Sequence, residues 1–171
     1  MAVMTNETAR IGSQLKRAYQ GEAWHGPSLR ELLEGVTADQ AAAKPIPTVH
    51  SIWELVNHIN TWEEIVRRRL EGDPVSQIPD EYNFPPVSDT GEAAWQAALK
   101  KLEEGNKALR DAIRKIDDKQ LEETAPGTNY SIYFMLHGVI QHDLYHAGQI
   151  ALLKKKRDYE INEKNEKYEK Q

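Results

Sequence analysis

His142 and His146 stand four positions apart in the run Gln141-His142-Asp143-Leu144-Tyr145-His146-Ala147-Gly148-Gln149-Ile150. On an α-helix that spacing puts both rings on one face with Cβ atoms about 6 Å apart, so two imidazole nitrogens can meet on one ion about 2.0–2.1 Å from each. Met135, Val139, His142, His146, then Gln149 or Ile150, and Leu153 follow at steps of four and three, the pattern of an inward-facing seam. Buried imidazoles need a partner at each ring nitrogen. A shared cation supplies one, and so do hydrogen bonds within a core pair; the spacing alone leaves both readings open.

A third ring comes from the segment Ser51 to Leu70, where Leu55, His58, Trp62 and Ile65 step by three, four and three and put His58 on a second apolar stripe. Three protein ligands leave open positions for water or substrate, as in a catalytic rather than a structural metal site. The chain has no cysteine, which excludes disulfides, a cysteine nucleophile and a thiolate-rich site. A zincin needs H-E-x-x-H, whereas Asp143 follows His142. A di-iron bundle needs paired Glu-x-x-His motifs, and neither seam carries them.

The stretch Ser51-Ile52-Trp53-Glu54-Leu55-Val56-Asn57-His58-Ile59, the run His142 to Ile150 and Trp24-His25-Gly26-Pro27-Ser28-Leu29 together resemble the DinB/YfiT-like superfamily of small helical metal-binding proteins, across about residues 5–157. The resemblance implies an all-α fold, a four-helix bundle with a long crossover connection. It also implies one divalent ion, commonly nickel or zinc, held by one histidine of the second helix and two of the fourth, which carries the ligand role to His58, His142 and His146. Family members include transferases and isomerases that use low-molecular-weight thiols, and many pair as homodimers. The expectation is a metal-dependent enzyme of thiol S-transferase type acting on a small molecule. The alternatives are a metal-dependent hydrolase using bound water and a non-catalytic metal-binding stress-response protein.

Ligating imidazoles usually donate their other N–H to an acceptor. Gln149, Glu54 and Asp143 are placed to serve, Gln149 best of all. Trp24, His25 and Trp62 are candidates for lining a substrate pocket, although aromatic residues at helical spacing more often belong to a core. His137 is rotated away from the ligand seam, and His50 lies about 12 Å from His58 along the axis, too far for the same ion. Ligation requires neutral imidazole, so metal affinity is expected to fall below about pH 6.5.

These residues need helices to hold them. Ile11, Leu15, Ala18 and Tyr19 mark a first helix, interrupted at Gly26-Pro27, with Pro27 suited to open a short helix through Leu33. Residues 36–49 read as a connection, Ser51 and Glu54 form a capping box for helix two, and residues 73–88 hold Pro74, Pro79, Pro85 and Pro86. That proline-rich stretch can cross the bundle end to end, as a structural strap with Tyr82 and Phe84 on the surface or as a cover over the site. Helix three runs from about Asp89 to Ile116 with Trp95, Ala98, Leu102, Leu109 and Ile116 inward, and helix four spans about Ser131 to Lys156.

A chain of 171 residues supports one compact domain, taken as residues 1–157, followed by a charged tail over 158–171 that is expected to fray. A net charge of -5 disfavours a nucleic-acid binder. No apolar run approaches eighteen residues and no signal peptide is evident, so the expectation is a soluble cytoplasmic protein without membrane partners.

Overall fold

The computed structural model describes residues 6–169, with side chains through Lys156. Four long helices dominate: α1 (Glu7–Tyr19), α4 (Ile52–Leu70), α6 (Glu92–Ile113) and α7 (Ile132–Glu169). Short helices α2 (Leu29–Leu33), α3 (Ala38–Ala42) and α5 (Asp80–Asn83) sit in the connections. Among the described residues there is no strand, only an isolated bridge between Thr124 and Ser131, and no helix is long and apolar enough to cross a membrane.

Local chemistry accounts for the helix starts. Ser51 accepts from the Glu54 amide while Glu54 reaches back to the Ser51 amide, and Thr37 with Gln40 repeats the device for α3, a short helix inside the stretch 36–49 that the sequence predicts as plain connection. Ser28 with Glu31 opens α2, so Pro27 precedes the cap instead of occupying the first helical turn. Helix α6 begins at Glu92 and ends at Ile113, which is fully buried, whereas Ile116 lies past the helix end and is only partly covered. Helix α7 continues through Glu169 rather than stopping near Lys156. Lysine and glutamate are good helix formers, so extending the backbone costs little. The expected fraying concerns side chains outside the described residues.

The long helices pack in a ring, α4 against α6 and α7, and α1 against the same two. Trp53 meets Trp95 near the starts of α4 and α6, and Asn106 meets Glu63 further along, so these two helices run parallel. The chain between parallel neighbours must return the full length of the pair. Residues 71–91 do so as an extended strap carrying α5.

The core is divided. One cluster gathers Tyr19, Leu33, Trp53, Ile59, Trp95, Leu102 and Ile150; the other gathers Ile11, Leu15, Val66, Leu109, Leu136 and Val139. Between them along α4, α6 and α7 lies a buried polar layer of His58, Asn60, Glu63, Asn106, Asp143 and His146. A polar layer weakens a core unless its groups are satisfied, so its composition carries functional information.

Candidate metal centre

His58 projects from α4 and His142 and His146 from α7, and the ligand atoms of all three lie within 4.8 Å of one another. The two helices are neighbours, and the i, i+4 pair on α7 faces the single ring of α4, so the packing that buries the apolar stripes also closes the triad.

Two of the rings are already oriented. His58 Nδ1 donates to the Asn83 carbonyl at 2.7 Å, and His146 Nδ1 faces Gln149 Oε1 at 3.3 Å. Each then presents Nε2 with its lone pair inward. His142 Nε2 lies 2.9 Å from His58 Nε2, close to the separation of about 2.9–3.4 Å expected of two nitrogens sharing one ion at bond lengths of about 2.0–2.1 Å. His142 Nδ1 is buried without a hydrogen-bond partner, with Asp143 Oδ1 3.7 Å away.

Burial, the leading cause for every ring, pushes His58, His142 and His146 down to about 4 from the usual 6.5. For His58 the bond to Asn83 opposes the shift and the neighbouring rings add to it. Neutral imidazole is the ligand form, and this donor set of nitrogens without sulfur suits zinc, nickel or copper. The residues fit a divalent ion.

The strap covers this site. Phe84 stacks face to face on His58 at 3.9 Å, and His50 stacks on Phe84 at 3.8 Å. Trp62 Nε1 donates to Asn83 Oδ1 at 2.9 Å, so one asparagine engages both α4 residues through its backbone and its side chain. The surface placement of Phe84 is therefore corrected: the ring lies against a candidate ligand because the returning strap passes the open side of α4. Asn83 had no sequence signal, since a carbonyl acceptor belongs to any residue.

Glu54 does not orient His58. Its carboxylate takes Lys44 Nζ at 2.9 Å, the Ser51 amide at 2.8 Å and His50 Nδ1 at 3.3 Å, because its capping role turns it toward the helix start. Trp24 is fully solvent-exposed, at 101% of its reference area, and His25 is exposed beside it in the turn before α2. Neither walls a pocket, since a glycine-rich turn offers no helix face to dock them.

Trp62 does line a pocket, a cavity of about 210 Å³ between α4 and the start of α7 whose walls include Val66, Met135, Val139 and His142, with Arg69 and Tyr130 at the far end. It meets the histidine site at His142. A larger hollow of about 610 Å³ lies at α2 and α6, lined by Tyr19, Arg30, Glu92 and Gln96, and touches none of the three histidines.

Beneath the rings, Asp143 faces Glu63, and both are buried. Asn106 Nδ2 donates to Glu63 Oε1 at 2.6 Å, while Glu63 Oε2 and Asp143 Oδ1 have no hydrogen-bond partner. Burial raises both carboxyls well above the ordinary range, and the charge of Asp143 raises Glu63 further. Glu63 was legible as an anomaly: Ile52, Leu55, Ile59, Glu63 and Val66 share one stripe, and only one of them is acidic.

No curated protein and no solved structure is significantly similar to the chain. The family model described as the DinB superfamily matches residues 23–150, a span that includes all three histidines together with Asn83 and Gln149. By that match, over most of its length, the chain belongs to the DinB superfamily.

Proposed function

We propose that His58, His142 and His146 ligate one divalent ion, nickel or zinc, and that the protein is a metal-dependent enzyme using a low-molecular-weight thiol, of the S-transferase type. The observation that carries this reading is the convergence of three neutral imidazoles, two buried and that of His142 half-buried, beside an apolar pocket. An ion there supplies Lewis acidity that lowers the pKa of a bound thiol or water. The protein's own contribution is positional. Asn83 and Gln149 fix two ring orientations, Phe84 and Trp62 exclude water, and the cavity receives the apolar body of the substrate. The thiol preference rests on family membership.

Protein purified without chelator or metal-affinity resin is expected to carry about one ion per chain by elemental mass spectrometry. His146→Ala is expected to lose it. Loaded protein should then turn over an electrophile only with added thiol; turnover without thiol would favour the hydrolase. If both proteins are metal-free and take up neither zinc nor nickel, the triad is a core feature and the proposal fails.

We also infer self-association through α7. Phe134, Tyr145 and Leu152 are exposed apolar residues spaced with Gly138 and Gly148 along one face. An added Cβ at either glycine would meet open space, so a second helix has room to approach.

A further inference from the structure

The pocket beside His142 ends in an unusual group. Arg69 is 5% exposed, yet among the described residues no carboxylate lies within ion-pair distance of it. Its partners are neutral: Nε and Nη2 donate to the Val75 carbonyl at 3.0 and 2.8 Å, and Nη1 donates to the Tyr130 hydroxyl at 2.9 Å. A carbonyl and a hydroxyl orient a guanidinium but do not neutralise it, and each Nη keeps a further N–H. Burying an uncompensated cation is costly, and this one lines the cavity that reaches the histidines.

The surrounding backbone is shaped to hold it. Gly127 adopts φ +78, and a Cβ there would meet Pro74 backbone atoms at 2.7 Å. That close approach presses the turn before Tyr130 against Pro74-Val75, whose carbonyl anchors Arg69, and so builds the pocket end from three separate segments.

We propose that this cavity takes a small ligand with an apolar body and an anionic group, a carboxylate, seated on Arg69 and Tyr130. The apolar walls of Val66, Met135 and Val139 hold the body. A volume of about 210 Å³ is below the roughly 300 Å³ at which drug-sized pockets begin, which restricts the ligand to a single ring or a short chain. Arg69 and His142 line the same cavity, with Phe134 and His142 about 12 Å apart along α7. The reacting end of such a ligand therefore points at the histidine site; only that last assignment rests on the metal reading.

The test is calorimetric binding of phenylacetate against its neutral amide, phenylacetamide, with wild-type protein both metal-loaded and chelator-stripped and with Arg69→Met. The acid is expected to bind about ten-fold tighter than the amide, as for a charge-assisted pair in an apolar site, in both metal states. Arg69→Met is expected to keep amide binding and lose the preference. Equal binding of acid and amide, or binding of neither, overturns the proposal. A preference that disappears on stripping the metal also overturns it, since the carboxylate then sits on the ion. The wild-type comparison decides even if the variant does not fold, and ion content measured on the same sample tests the metal reading separately.

Discussion

A histidine whose Nδ1–H is held by a carbonyl presents its other nitrogen as a fixed donor, and the burial that surrounds the triad keeps that donor unprotonated. Sequence alone leads to competition by protons near pH 6.5, the value of free imidazole. The structure moves that window, because the folded rings titrate at about 4. Metal affinity, followed by competition with a chromogenic chelator, is expected to hold from neutral pH to about 5 and to fall steeply near 4. The metal-free protein behaves differently. Between pH 6.5 and about 4 the unfolded chain takes up protons that the folded rings refuse, so this contribution to stability declines as pH falls through that range. The Glu63–Asp143 pair has the opposite sign. Unfolded carboxyls ionise at ordinary acidic pH while the buried pair stays protonated far higher, so the pair costs stability as pH rises. Glu63→Gln keeps the shape and offers an amide donor to Asp143 Oδ1. By urea denaturation it is expected to be more stable than wild type by on the order of 1–3 kcal/mol at pH 8, with a smaller gain at pH 5. A gap that does not grow with pH would remove the explanation.

At the scale of elements, the strap acts as a third wall of the site. Phe84 lies between His50 and His58, parallel to both rings, so Phe84→Ala removes a stacking partner while leaving the Asn83 carbonyl in place. The expected cost is about 1–2 kcal/mol in unfolding free energy, less than for a fully buried phenylalanine. Ion release to excess chelator should accelerate about ten-fold, the kinetic counterpart of losing about 1.4 kcal/mol. An unchanged release rate would reduce the strap to a connector. What was legible in the sequence divides at this scale. The seams on α4 and α7 announced His58, His142 and His146, and the Ser51–Glu54 box announced where α4 begins, since both signals are local and periodic. The path of the strap was announced only in outline, by prolines and length. Its contact with His58 depends on the parallel packing of α4 and α6, a non-local fact that residues 73–88 do not encode on their own. The same limit explains Arg69, which reads in sequence as one of three consecutive arginines near a helix end and differs from Arg67 and Arg68 only in facing the pocket.

For the molecule as a whole, the proposed self-association would use the exposed stripe of α7. Leu152 is 66% exposed on it, and Leu152→Glu is expected to convert a dimer to a monomer in light scattering without changing ion content, since it stands about 9 Å along α7 from His146. A wild-type monomer at all accessible concentrations would sink that reading. The polar layer itself separates two apolar clusters, and local excursions that part them would open the site. Amide exchange at His142 and His146 should therefore slow on adding zinc more than exchange within either cluster.

The order of the helices also has a consequence for synthesis. His58 is made early, but its two partner rings lie on α7, which follows the other three long helices in chain order. A nascent chain ending before residue 142 has one ring of the three and no groove wall opposite it. An ion held by all three rings can therefore be taken up only once α7 has been made and has docked against α4, never by α4 alone.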